Sequence, residues 1–279
     1  EGKTITVTAT QTDSDGNTSA QGSDTAKLDT TADAAAPVVT IVDDVNDDGI
    51  INKAELGADN VQLQVNVNHA ELTQGGTINL TIVNDGATTN VELKLDANGV
   101  LVLANGSPAT GYSYNNGVIT WTAVVAEGKT ITVTATQTDS DGNTSAQGSD
   151  TAKLDTTADA AAPVVTIVDD VNNDGIINKT ELGNDDVQLQ VKVNHAELTQ
   201  GGTINLTIVN DGATTNVSLK LDANGVLVLA NGNPATGYSY NATTGVISWT
   251  AVVAEGKTIT VTATQTDSDG NTSAQGSDT

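Results

Sequence analysis

The sequence predicts an all-β chain of β-sandwich modules joined end to end. Three observations carry this. Apolar and polar residues alternate with a period of two along many short segments. Asn-Gly and Asp-Gly pairs separate those segments. One 25-residue segment, EGKTITVTATQTDSDGNTSAQGSDT, recurs without change at residues 1–25, 127–151 and 255–279.

The offsets between the copies, 127 − 1 and 255 − 127, are 126 and 128 residues. The extra two residues fall where Asn115-Asn116-Gly117 becomes Asn241-Ala242-Thr243-Thr244-Gly245, a loop position that a folded module tolerates. A repeat of this length is the size of an autonomous domain, not of a solenoid unit that needs its neighbours. The small-residue stretch from Asp29 to Pro37, repeated from Asp155 to Pro163, reads as a short, stiff linker. The expected division is therefore 1–33 as the end of a preceding module, 34–159 as a complete module, and 160–279 as a module without its last few residues. A lone hairpin is marginal in water, so the strands of 1–33 are expected to be completed by a neighbouring copy.

Within the 34–159 module, strands are expected over 38–42, 61–67, 77–83, 91–95, 118–124, 130–138 and 144–154. Val61, Leu63, Val65 and Val67 share a face, as do Ile78, Leu80 and Ile82, and Val91, Leu93 and Leu95. Asn84-Asp85-Gly86, Asn98-Gly99 and Asn105-Gly106 supply the turns. Seven to nine short strands with regular turns indicate an immunoglobulin-like sandwich. Asn52 and Glu55 have capping-box spacing and predict one short helical turn.

Composition narrows the function. The chain has 35 acidic residues, 10 basic residues and a net charge of −25. Such a surface repels nucleic acid and anionic lipid, and it repels itself unless cations neutralise it. There is no Cys, which removes disulfides, thiolate catalysis and Cys-type zinc sites. No apolar run approaches the roughly 18 residues of a membrane helix, and no signal-peptide pattern opens the chain. No nucleophile–base pair or phosphate-binding loop is present, so an enzyme is not expected.

The motif with the most specific chemistry begins at Asp44. Asp44, Asn46, Asp48, Gly49, Ile50, Asn52 and Glu55 match positions 1, 3, 5, 6, 7, 9 and 12 of an EF-hand calcium loop. The side chains of Asp44, Asn46 and Asp48, the Ile50 carbonyl, Asn52 or a bound water, and the Glu55 carboxylate would supply oxygens, with Asp43 adjacent. The second copy is Asp170, Asn172, Asp174, Gly175, Ile176, Asn178 and Glu181. Asp47 becomes Asn173 there, at a position that needs no side-chain ligand. A strand precedes the loop where an EF-hand has a helix, so a static structural site is expected rather than a sensor. The alternative is a solvated Asp/Asn/Gly turn.

A second acidic loop is Asp13, Asp15 and Asn17, repeated as Asp139, Asp141 and Asn143 and as Asp267, Asp269 and Asn271. It can hold calcium or simply close a hairpin. Strand direction in a sandwich places the Asp43–Glu55 loop at the bottom of a module and the 139-type loop at the top. One junction is therefore expected from residues 43–55, the linker residues Asp155 and Asp159, and residues 267–271, with calcium bridging the carboxylates.

Other residues invite blander readings. His69 and His195 lack a second imidazole or thiol nearby and suit a surface role. Trp121 and Trp249 lie on alternating strands and suit the core. Tyr112, Tyr114, Tyr238 and Tyr240 suit loop anchoring, with a small sugar-stacking patch as the alternative. The ladder Thr4, Thr6, Thr8 and Thr10 suits an outward strand face better than an ice-binding one. Asn79 opens a glycosylation sequon with no expected role.

Taken with Asp13-Ser14-Asp15-Gly16-Asn17-Thr18-Ser19, Asp29-Thr30-Thr31 and Ala36-Pro37-Val38-Val39-Thr40, the chain resembles the tandem bacterial immunoglobulin-like repeats of giant RTX-type and biofilm-associated adhesins. The resemblance covers every module. It implies an extender region of a Gram-negative surface fibre, exported by type I secretion, extracellular and serving adhesion and biofilm formation. It also implies calcium at module junctions, through Asp13, Asp15, Asn17 and their copies and through Asp29 and Asp155. The partners implied are neighbouring copies of the module, with host or bacterial surfaces met through other regions. Two further readings remain open: repeats that bind glycans or cells by avidity, and a filament that assembles laterally.

Overall fold

The computed structural model describes residues 1–32, 34–158 and 160–279. The chain forms two compact units, one of Glu1–Gly49 with Asp59–Lys153 and one of Ile50–Ala58 with Leu154–Thr279. In the second unit, one antiparallel sheet runs in the order Val164–Ile167, Val187–Lys192, Val246–Ala251, Ser239–Asn241. The other runs Leu227–Leu229, Ala213–Leu221, Thr203–Asn210, Ile259–Thr266, Gly276–Asp278. This is the strand order of an immunoglobulin-like sandwich.

The two sheets of this unit share one core. Ile167, Leu189, Val191, Ile247 and Trp249 from one sheet cluster with Ile204, Leu206, Leu219, Val261 and Ala263 from the other. Each set comes from alternate positions of its strands, so the period-two pattern is what builds the buried face.

The first unit repeats the arrangement. Val38–Ile41, Val61–Asn66, Val118–Ala123 and Ser113–Asn115 are neighbours in one sheet, and Gly148–Leu154, Thr130–Thr138, Thr77–Asn84, Ala87–Leu95 and Leu101–Leu103 in the other. Val61, Leu63, Val65, Ile78, Leu80 and Leu93 are buried as their spacing predicts. The last strand starts at Gly148, later than expected, while Thr144 only bridges Thr138. The turn at Asn116 and Gly117 has positive φ at both residues, which Asn and Gly accept. In the second unit the longer loop closes on Asn241, whose Oδ1 accepts from Thr243 and Thr244 N–H. The flanking pairs Asn115↔Val118 and Asn241↔Val246 keep their register.

The helical turn at 52–55 forms as Lys53–Leu56, and its copy as Lys179–Leu182, each with the full capping box. A second short helix, His69–Thr73 with its copy His195–Thr199, follows Asn68 and Asn194, which cap it. Among the described residues no helix is long and apolar enough to cross a membrane.

The first hairpin stands apart. Thr4–Ala9 pairs with Gly22–Lys27 in the same register that joins Thr130–Thr138 to Gly148–Leu154. Yet every residue of both strands is exposed. Among the described residues, no strand of this chain pairs with its outer edge.

Candidate metal-binding loops and linker contacts

The loop opening at Asp170 lies just after strand Val164–Ile167. Asp170 Oδ1 accepts from Asp174 N–H at 3.0 Å and Oδ2 from Gly175 N–H at 2.9 Å. Asn172 Oδ1 accepts from the same Asp174 N–H at 3.0 Å, so Asp170 and Asn172 turn oxygens toward one point. Asp174 Oδ1 accepts from Ile176 N–H, and Asn172 Nδ2 donates to Asp174 Oδ2 at 3.0 Å. Glu181 Oε2 accepts from Asn178 N–H in the capping box. In the first unit, Asp44, Asn46 and Asp48 repeat the pattern over 44–49. Ile50, Asn52 and Glu55 lie in the second unit, where Asn52 caps the helix.

Position 4 of the loop explains its own variation. Asp47 and Asn173 have φ of 59° and 56°, in the left-handed region that Asp and Asn tolerate best among non-glycine residues. Gly49 and Gly175 come two residues later at 83° and 80°. Asp43, expected as a neighbouring ligand, accepts at its Oδ2 from Gln62 N–H at 2.7 Å and so ties the loop to the adjacent strand.

The donor set of the loop is all oxygen, which suits a hard cation such as calcium. Among the described residues, no three carboxylate or imidazole side chains gather in a group that could hold a metal. The expected ligands include Asn side chains and a backbone carbonyl beside the carboxylates.

The second acidic loop closes the last hairpin in each copy. Asp139 Oδ1 accepts from Asp141 and Asn143 N–H, and Oδ2 from Asn143 Nδ2. Asp13 and Asp267 do the same with Asp15, Asn17, Asp269 and Asn271 N–H. Partial burial works against the charged form of Asp139. The N–H donors of Asn143 and Asp141 outweigh it and hold the carboxyl below its ordinary range. The backbone N–H of Asn17 does the same for Asp13.

These turns also meet the linker aspartates. In the first unit, Asn143 Nδ2 lies 3.4 Å from Asp29 Oδ1. In the second unit, Asn271 Nδ2 lies 3.4 Å from Asp155 Oδ1 and donates to the Asp155 carbonyl at 2.8 Å. Lys53 N–H, at the start of its helix, donates to Asn271 Oδ1 at 3.0 Å. Asp155, Asp267 and Asn271 are all buried. Residues 53, 155 and 271 of the expected junction therefore meet inside the second unit. Asp159 lies outside the described residues.

Sequence reasoning missed a buried glutamine. Gln137 continues the inward phase of Ile131, Val133 and Ala135, and it is fully buried. Its amide accepts from Asn68 N–H and donates to Asn68 O, both at 2.8 Å, linking the two sheets. Gln265 does the same to Asn194. A polar residue at an inward position of a period-two strand was the available signal.

The remaining candidates hold local structure. His69 Nδ1 and Tyr114 OH are 2.5 Å apart at an exposed site, and His195 with Tyr240 repeats this. Trp121 and Trp249 are buried against Tyr112 and Tyr238, with ring centroids 5.6 Å apart. Among the described residues, neither indole N–H has a hydrogen-bond partner. No protein-family model matches the chain, and no curated protein matches it.

Proposed function

We propose that this chain is a spacer: extender repeats of a secreted bacterial surface adhesin, stiffened by calcium and serving adhesion and biofilm formation. The observation that carries this reading is the repetition of one acidic turn against one linker aspartate, Asn143 with Asp29 and Asn271 with Asp155. A ligand-recognising tip needs to be built once, whereas a spacer gains reach by repeating its joint. Asp170, Asn172, Asp174, the Ile176 carbonyl and Glu181 would hold the cation, which supplies positive charge to a chain of net charge −25. The protein's own part is to fix the oxygens with backbone N–H groups before the ion arrives.

Small-angle scattering of the chain in calcium and in EDTA tests the reading. Calcium is expected to give a narrower, more extended distance distribution. At calcium about a hundredfold above Kd, the melting temperature is expected to rise by about 10 °C. The double substitution Asp170→Ala and Asp174→Ala is expected to remove most of that rise. Equal scattering and equal melting in both buffers would defeat the proposal.

A further inference from the structure

The aromatic and imidazole rings of the chain fall into two clusters of the same make-up. The chain has two Trp, four Tyr, two His and no Phe. In the first unit Trp121 packs on Tyr112 with ring centroids 5.6 Å apart, and Tyr114 lies beside His69 at 6.1 Å. In the second unit Trp249 packs on Tyr238 at 5.6 Å, and Tyr240 lies beside His195 at 6.0 Å. Tyr238 and Tyr240 both pack against the core cluster that holds Trp249. The two phenols therefore share a face, separated by about 7 Å along an extended segment. Each unit thus carries a row of Trp, Tyr, Tyr and His that runs from a buried indole to an exposed imidazole.

The members of the row differ in what can take a proton from them. Among the described residues, no acceptor faces the buried N–H of either indole. Tyr114 and Tyr240 each have an imidazole Nδ1 2.5 Å from the phenolic oxygen. Nδ1 accepts the phenolic O–H when the ring proton sits on Nε2. Burial pushes the Tyr114 phenol up, and the Gly117 N–H opposes this by donating to the phenolic oxygen. With one donor already on that oxygen, its own O–H is the group left to face Nδ1. Loss of an electron makes a phenol strongly acidic, so oxidation is easiest where a base already holds the proton. Cys and Met, the usual targets of oxidants, are absent from the chain.

We propose that Tyr114 and Tyr240 are redox-active cross-linking sites, each oxidised with transfer of its phenolic proton to the hydrogen-bonded histidine. A one-electron oxidant takes an electron from the phenol, and the proton passes from the Tyr114 oxygen to His69 Nδ1, or from Tyr240 to His195 Nδ1. An electron lost first from Trp121 or Trp249 is replaced from the tyrosines, because the indole has no base beside it to trap the hole by deprotonation. Two tyrosyl radicals on different molecules then join through the ring carbons next to oxygen. The ring hydrogens at the new bond return to the phenolic oxygens, and the imidazoles release their protons to water. Two electrons and two protons leave for each dityrosine formed.

The test exposes the chain to light-generated ruthenium(III) tris(bipyridine). Denaturing gels are expected to show a ladder in multiples of 28.2 kDa, with dityrosine fluorescence in its bands. Peptide mapping should place the links at Tyr114 and Tyr240. The variant His69→Gln/His195→Gln should link at least about tenfold more slowly. Both histidines are exposed, so this variant keeps its units folded. Imidazole added to the solution should restore much of its rate, which a purely structural role for the histidines would not allow. Tyr114→Phe/Tyr240→Phe keeps the rings and removes the hydroxyls, and it should abolish the ladder. Links mainly through Tyr112 or Tyr238, oxidation mainly on Trp121 or Trp249, equal linking in the His variant, or no links between molecules would each overturn the proposal.

Discussion

At the scale of single residues, the repeats act as internal controls. Gly276 sits so close to strand Val164–Ile167 that an added Cβ would meet the Pro163 carbonyl at 1.7 Å. Gly22, at the same place in the free hairpin, would meet nothing nearer than 3.9 Å. Gly276→Ala is therefore expected to cost about 3 kcal/mol or more in the second unit, and Gly22→Ala to change stability by less than about 0.5 kcal/mol. Hydrogen exchange on each variant separates the two outcomes. The buried glutamine gives a second case. Gln265→Leu removes both partners of the Asn194 backbone and is expected to cost about 2–4 kcal/mol, read by chemical denaturation.

Asp139 supplies a pH dependence. Its folded carboxyl lies below the ordinary value of 3.8, against the opposing effect of burial. A depressed folded pKa stabilises above the unfolded pKa, and that stability is lost as pH falls through the folded value. NMR titration is expected to place the Asp139 midpoint below 3.8, with the turn N–H of Asn143 losing exchange protection in the same range. A midpoint at or above that value would contradict the account.

At the scale of elements, short helices rest on their caps. Helix Lys179–Leu182 has four residues, too few to hold by propagation, and Asn178 accepts from Thr180 and Glu181 N–H. Asn178→Ala is expected to cost about 1 kcal/mol, measured as a shift in denaturant midpoint of the second unit. The first such helix was legible from Asn52 and Glu55. The helix His69–Thr73 was not read, although Asn68 precedes Glu71 by the same spacing, because His69 closes an alternating strand and hides the change of period. The three-residue strand Leu101–Leu103 was missed because alternation over so few positions carries no phase.

At the scale of the whole molecule, charge dominates. A net charge of −25 resists compaction, so raising monovalent salt from low ionic strength is expected to raise the melting temperature even without calcium. Scanning calorimetry across a salt series checks this, and a flat response would show that the acidic residues are already compensated locally. Of the candidate site, the loops and their Asp/Asn positions were legible from spacing. The pairing of Asn143 with Asp29, and of Asn271 with Asp155, depends on residues more than 100 positions apart, which no local pattern encodes.

The sequence by itself determined the longer strands, the turns between them and the register of the terminal hairpin. The segment at residues 1–25 folds to the same register as its copy at 127–151 though both its strands are exposed, because turn chemistry and alternation act over a few residues. Only the tertiary structure decided which copies are buried. Ile5 and Ile131 share every near neighbour in sequence and differ completely in exposure, because burial depends on a strand supplied from elsewhere.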